Sequence, residues 1–128
     1  MLSLFDRILK EVPVGLVLYT PVQRKPFSVK CKEPDRIVFL VKKTKIEVSK
    51  DCWNGIPDFL RGKGWVKIGA KHEVLEKLST GTLERYLREN SVNDKSRASQ
   101  GSYVAPLLEH LKIVEVRHEK YSAVRLIT

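Results

Sequence analysis

The apolar residues near the N-terminus recur at the spacing of one helix face. Leu4, Ile8 and Val12 form this stripe, with Ser3 suited to capping its start and Pro13 to ending it. The pattern predicts an amphipathic helix of about ten residues. Such a helix most often packs on its own sheet, and the alternative is a contact with a second copy or a partner.

Four short apolar runs rich in β-branched and aromatic residues follow, separated by turn residues and by a lysine-rich break. They are Leu16–Tyr19, Phe27–Cys31, Ile37–Val41 and Ile46–Val48. In the second run apolar residues at 27, 29 and 31 alternate with Ser28, Lys30 and Lys32, so we expect one buried face and one basic face.

The next segment combines helix-breaking residues with two tryptophans. A single helical turn over Asp58–Arg61, ended by Gly62, fits the sequence, and Trp65–Ile68 reads as a further strand. Trp53 and Trp65 both lie among apolar neighbours, and we expect both of them in the core.

The second half of the chain shows three helical patterns and then a return to period two. The helices are predicted over His72–Leu78, Thr82–Glu89 and Ser102–Leu111. Pro106 is best tolerated near a helix start, so the third helix is expected to begin near Ser102, or to kink at Pro106 if it begins at Ser96. Apolar residues at 114, 116, 124 and 126 then predict a hairpin over Ile113–Ile127 with a basic turn.

Residues 72–128 resemble a winged helix-turn-helix domain, on the segments TLERYLREN, SYVAPLLEHLKIVEV and RHEKYSAVRL. The resemblance implies that the third helix enters the major groove of duplex DNA and that the hairpin follows the backbone. Gln100 would read adenine at the start of this helix. The DNA-contacting residues implied in this way are Lys95, Arg97, Ser99, Gln100, Ser102, Tyr103, Arg117, Lys120, Tyr121 and Arg125.

These elements predict an α+β fold, in which a small antiparallel sheet with short helices is docked on the winged helix. We expect one unit over residues 1–70 and the second over residues 71–128, without a long linker between them.

The charge is strongly positive and unevenly distributed. The formal net charge is +9, and residues 1–70 hold 14 Lys and Arg against 7 Asp and Glu, whereas residues 71–128 hold 10 against 8. A secondary basic patch is therefore expected on the first half, at Arg24, Lys25, Lys30, Lys32, Lys42, Lys43, Lys45, Arg61 and Lys63. These residues fit a nucleic-acid backbone, or equally a solubilising surface of the kind found in thermophiles.

Several classes of protein and site are disfavoured by the sequence. No apolar run approaches the length of a membrane span, and the N-terminus lacks a signal-peptide pattern, so we expect a cytoplasmic protein. Phosphate-binding loops, serine-nucleophile motifs and metal-ligand spacings are absent, so no enzyme activity, cofactor or metal is predicted. Two cysteines, Cys31 and Cys52, are expected as buried thiols, with a disulfide left open.

The sequence thus favours a duplex-DNA-binding protein, either a transcriptional regulator or a chromosome-associated factor. The alternative is a protein-protein interaction module, a winged-helix subunit of a larger assembly. A homodimer formed through the helix over Leu2–Val12 is a further arrangement compatible with the sequence.

Overall fold

The computed structural model describes residues 2–71, 73–90 and 99–127. The fold is mixed α+β, as predicted, and the described residues form four α-helices and two antiparallel sheets. The elements in chain order are α1 (Leu4–Glu11), β1 (Val17–Tyr19), β2 (Pro26–Glu33), β3 (Arg36–Val41), β4 (Thr44–Ser49), α2 (Lys50–Leu60), β5 (Val66–Lys67), α3 (Leu83–Glu89), α4 (Gly101–His110), β6 (Val114–Arg117) and β7 (Ala123–Leu126).

Helix α1 begins and ends close to where the sequence places it. The Ser3 hydroxyl accepts a hydrogen bond from the Asp6 N–H at 3.1 Å, which caps the helix start. Leu4, Phe5 and Ile8 are buried in the protein's own core. The apolar stripe is therefore occupied within the chain and is not exposed for a contact between two copies.

The first four strands form a meander in the order β1-β2-β3-β4. One face of this sheet supplies Phe27, Ile37, Phe39 and Val48 to the core. The register shifts between Val29 and Cys31, where a bulge interrupts the pairing of β2 with β3.

The bulge reverses the expected orientation of Lys32, because one extra residue moves the side chains that follow it to the opposite face. The Lys32 ammonium donates to the carbonyls of Leu9 and Val12, at 2.8 and 2.5 Å, at the end of α1. The alternation predicted for this strand is thus wrong beyond Val29, and Lys32 supports α1 instead of joining a basic face.

Helix α2 is longer than the single turn predicted from the sequence. The Ser49 hydroxyl caps it by accepting from the Cys52 N–H at 3.2 Å, and Trp53, Ile56 and Leu60 lie buried along one face. Burial of this face outweighs the low helix propensity of Gly55 and Pro57.

The second sheet has the order β5-β7-β6. Val66 pairs with Val124 and Lys67 with Ala123, so β5 belongs to the same sheet as the C-terminal hairpin. The boundary expected between residues 70 and 71 consequently falls between strands of one sheet. A continuous cluster of buried apolar residues extends from Leu4 to Val124 and joins both halves of the chain.

In the described residues before α3, the structure forms a 3-10 turn over Leu75–Lys77. The helix predicted for His72–Leu78 is therefore wrong in type and in length. His72 itself lies outside the described residues. Arginines of α3 hold this segment by its backbone carbonyls. Arg85 donates to Leu75 and Leu78 at 3.0 and 2.9 Å, and Arg88 donates to Glu73 at 2.8 Å. These bonds use carbonyls that a regular helix would pair internally.

Candidate functional site

The exposed face of the three-stranded sheet brings a tryptophan and three cations together. Trp65 precedes β5 and is 37% exposed, with the guanidinium carbons of Arg117 and Arg125 at 4.6 and 4.7 Å from its ring centroid. Lys67 is exposed two residues beyond Trp65 and is therefore on the same side of β5. We call Trp65, Lys67, Arg117 and Arg125 the arginine–tryptophan face.

Stacking on the indole holds the two arginines in place while leaving the N–H donors of Arg117 available. Arg125 also donates to the Glu115 carboxylate at 2.8 Å, on the neighbouring strand β6. The face combines flat guanidinium groups, an aromatic surface and a lysine, which is a chemistry suited to phosphate and sugar.

The tip of the β6–β7 hairpin carries the most exposed aromatic side chain among the large hydrophobic residues described. Tyr121 is 74% exposed, and its backbone has the left-handed φ of 63°. The Lys120 ammonium lies 5.4 Å from the Tyr121 ring centroid. A bulky residue in this backbone region is uncommon and is typical of a constrained turn.

A second basic cluster lies at one end of the four-stranded sheet. The β1–β2 and β3–β4 connections occupy the same end of an antiparallel meander. The exposed side chains of Arg24, Lys25, Lys42 and Lys43 lie at these connections, and we call these four residues the turn cluster.

The turn cluster adjoins the C-terminal hairpin. Arg24 Nη1 lies 3.1 Å from His118 Nδ1, and His118 Nε2 lies 2.7 Å from Glu109 Oε2. The two basic regions predicted from the sequence are therefore neighbours on the surface, joined at His118.

The start of α4 is closed by a carboxylate from α3. Glu84 accepts hydrogen bonds from the N–H groups of Gln100, at 3.0 Å, and Gly101, at 2.7 Å. Its side chain is fully buried beside Arg88, whose Nη1 lies 3.7 Å from Glu84 Oε2. Burial raises the pKa of Glu84, whereas the two N–H groups and Arg88 oppose that rise.

This carboxylate lies where a helix N-terminus would otherwise bind a phosphate. Ser99 and Gln100 are each only 5% exposed, and Ser102 is half-buried. A cleft for base edges is therefore not formed by the Ser99–Ser102 corner. The base-reading role expected for Gln100 does not fit this geometry, because its side chain lies in the interior.

The middle of α4 packs against the four-stranded sheet. The Tyr103 ring packs edge-on against Phe27 of β2, with centroids 5.0 Å apart, and burial raises the pKa of Tyr103. Pro106 and Glu109 line a groove of about 170 Å³ with Leu18 of β1. The expected role of Tyr103 at a nucleic-acid surface is replaced by a packing role.

The remaining predicted residues occupy separate places. Lys30 and Lys45 are exposed along the sheet, and Lys32 supports α1 as described above. Arg61 pairs with Asp58 at 2.6 Å, and the Lys63 ammonium lies 3.8 Å from the Phe59 ring centroid. Lys95 and Arg97 lie outside the described residues.

Sequence reasoning placed Trp65 in the core and did not single out Lys67 or His118. Trp53 is fully buried as predicted, but Trp65 is partly exposed. The signal available was the alternation within Trp65–Ile68, in which Val66 and Ile68 face inward and Trp65 and Lys67 face outward.

Neither a membrane-spanning helix nor a metal-binding cluster is found among the described residues. No helix in that part of the chain is long and apolar enough to cross a membrane. Among the same residues, no group of three His, Cys, Asp or Glu side chains is placed to hold a metal ion. Cys31 and Cys52 are both free thiols, and burial raises the pKa of Cys52 to about 12.

Comparisons with known proteins give a family without an assigned activity. No curated protein and no solved structure matches the chain. A family model described as a family of unknown function (DUF6855) matches residues 10–126, and since this is nearly the whole chain, the protein belongs to that family.

Proposed function

We propose that the protein binds duplex DNA through the arginine–tryptophan face and the hairpin tip, by contacts to the phosphate backbone. The observation that carries the proposal is the placement of Arg117 and Arg125 on the Trp65 ring, next to Lys67. Flat guanidinium groups held in this way bind phosphate oxygens with two parallel hydrogen bonds.

The turn cluster extends the same surface. Because Arg24 contacts His118 at 3.1 Å, a backbone lying along the hairpin also meets the cations of the four-stranded sheet. The cluster has four exposed cations, and each phosphate neutralised adds to the salt dependence of binding.

The winged helix-turn-helix interpretation is part of this proposal, in a modified form. The order α2, β5, α3, α4 and the β6–β7 hairpin supports it, with β5 pairing with β7. In this form α2 takes the place of the first helix, instead of residues 72–78. The third helix, α4, is buried at Gly101 and over residues 104–108, which leaves few of its side chains free to enter a major groove.

The burial of α4 bears on the choice between a transcriptional regulator and a chromosome-associated factor. A regulator that reads sequence needs exposed donors and acceptors against the base edges. The arginine–tryptophan face supplies contacts to phosphate, which carry no sequence information. We therefore favour a chromosome-associated, sequence-tolerant binder over a sequence-specific transcriptional regulator, and a cytoplasmic location belongs to the same proposal.

A protein-interaction module is the second candidate, favoured by a different observation. Val17 and Tyr19, on the edge strand β1, are 51% and 47% exposed, respectively. Apolar side chains on a sheet edge suit strand addition by a protein partner.

A salt titration of binding to duplex DNA separates the candidates. We expect the logarithm of the binding constant to fall linearly with the logarithm of salt, with a slope of about −0.9 for each phosphate neutralised. The double variant Lys67→Gln/Arg117→Gln should make this slope shallower by about 2. Its matched control is Lys10→Gln/Lys50→Gln, which removes two exposed charges that belong to α1 and α2 and to none of the proposed binding elements.

The control should keep the wild-type slope within error. Absence of binding at low salt, or equal losses in the two double variants, would contradict the proposal and favour the protein-interaction module. Sequence tolerance is checked in parallel with duplexes of unrelated sequence, whose affinities should agree within a few fold.

A further inference from the structure

We infer that His118 is a pH-dependent latch that regulates the proposed DNA surface: neutral His118 holds Arg24, and protonated His118 releases it toward phosphate. The regulatory part of this inference rests on the proposed function. The latch itself is a property of the free protein and can be measured without DNA.

Three contacts meet at the His118 ring. Nε2 lies 2.7 Å from Glu109 Oε2 of α4, whereas Nδ1 lies 3.1 Å from Arg24 Nη1 and also 3.1 Å from the carbonyl oxygen of Pro21. Arg24 and Pro21 both belong to the β1–β2 connection, so the ring joins the C-terminal hairpin to that connection.

The two contacts at Nδ1 require different protonation states. A guanidinium only donates and a carbonyl oxygen only accepts, so Nδ1 must be unprotonated to bind Arg24 and protonated to bind Pro21. Nε2–H donates to Glu109 in both states. Neutral His118 therefore accepts from Arg24, and the imidazolium donates to Pro21 instead.

Protonation also places a positive charge beside the Arg24 guanidinium, which adds repulsion to the loss of the acceptor. The Arg24 guanidinium carbon also lies 5.9 Å from the Tyr19 ring centroid, and this cation–π contact remains when the bond to His118 is lost. The β1–β2 connection stays docked on the C-terminal hairpin while the Arg24 side chain changes partner, because the Pro21 carbonyl accepts a hydrogen bond from protonated Nδ1.

Other charged groups lie around the ring. Glu109 and His110 are contributed by α4, and Arg24 by the β1–β2 connection. Arg117, Glu119 and Lys120 are the charged neighbours on its own hairpin. Among the described residues, His110 is exposed beside the same groove and makes no hydrogen bond to Arg24, so it provides a matched control.

Release of Arg24 should strengthen binding to a polyanion as the pH falls through the range in which histidines change charge, about pH 8 to about pH 5. The expected signature is a salt slope that steepens by about 0.9 for each additional phosphate contacted. A uniform rise in protein charge would also raise affinity, so the test compares the two histidines.

The first arm uses the free protein and nuclear magnetic resonance. We expect the ¹⁵N signals of His118 to report the Nε2–H form at high pH. The Arg24 guanidinium signal should move with the same midpoint as His118 and stay fixed in His118→Gln. Glutamine can accept from Arg24 and donate to Glu109 but does not take up a proton in this range. An Arg24 signal that ignores the His118 titration overturns the latch, whether or not the protein binds DNA.

The second arm measures the salt slope on duplex DNA at about pH 8 and about pH 5.5. We expect wild type and His110→Gln to show the steeper slope at low pH, and His118→Gln to show one slope at both values. An unchanged pH response in His118→Gln overturns the regulatory claim. No DNA binding by any variant overturns the proposed function and, with it, the regulation of that site, whereas the first arm still decides the latch.

Discussion

Substitution of Gly55 by alanine should destabilise this protein, although alanine is the better helix former. Gly55 lies inside α2, where the exchange ordinarily stabilises a helix by about 0.5–1 kcal/mol. Here a Cβ atom built on Gly55 would overlap the Tyr86 hydroxyl oxygen. That hydroxyl is held in place, since it donates to the Cys52 carbonyl at 2.9 Å and its ring stacks on Phe59 at a centroid distance of 4.6 Å.

Relief of the overlap requires the loss of this hydrogen bond, worth about 1 kcal/mol, and a shift of the stacked rings. Overpacking of this kind costs about 1–3 kcal/mol. The helix-propensity gain offsets part of the loss, so we expect Gly55→Ala to lower the free energy of unfolding by about 1–2 kcal/mol.

The double variant with Tyr86→Phe reveals the cause. The nearest ring atom, Cζ of Tyr86, lies 3.5 Å from the added Cβ, which is ordinary contact. In the Tyr86→Phe background the same glycine exchange should therefore stabilise the protein by about 0.5–1 kcal/mol. Urea unfolding followed by circular dichroism measures all four free energies. A glycine exchange that destabilises both backgrounds equally would refute the reasoning.

Two further predictions follow from buried groups. Glu84→Ala should lower the free energy of unfolding by about 3–5 kcal/mol, because it uncaps α4 and removes a buried partner of Arg88. The control is the exposed Glu89→Ala on the same helix, which should cost less than about 1 kcal/mol. Similar losses for the two variants in urea unfolding would contradict this account. At pH values near 8, alkylation of the folded protein should modify Cys31 and spare Cys52, as read by peptide mass spectrometry. Burial raises the pKa of Cys52 to about 12 and leaves little thiolate to react. Equal modification rates of the two cysteines would argue against this burial.

Elements whose pattern is local could be predicted from the sequence. Helix α1 was predicted from Ser3 and its apolar stripe, and the runs around β1 to β4 were predicted from their composition. Helices α3 and α4 also begin within one residue of the predicted start. For α1 and α3 the capping residue and the buried face are encoded within a dozen residues of one another, whereas the start of α4 follows from its apolar pattern and Pro106.

Features that depend on distant residues could not be predicted in this way. Gly55 and Pro57 indicated a short helix, but burial of Trp53 against Phe39 of the four-stranded sheet favours a longer one. The bulge after Val29 sends Lys32 to the other face, and a simple alternation gives no sign of it.

The candidate site shows the same division. The exposed cations of the hairpin follow from alternation, so Arg117 and Arg125 were predicted to be at the surface. Burial of Gln100 depends on Glu84, 16 residues earlier in the chain, and on the docking of the four-stranded sheet against α4. The role of His118 depends on Arg24, 94 residues away, and a local pattern cannot connect them.

The most direct test of the account is a titration of the ¹⁵N-labelled protein with duplex DNA, read by chemical-shift changes at each backbone and indole N–H. We predict the largest changes at the Trp65 indole and around Arg117, Lys120 and Arg125, with little change at Gln100 and Gly101. Changes concentrated at the start of α4, with the Trp65 indole unaffected, would contradict the claim that the arginine–tryptophan face binds the nucleic acid.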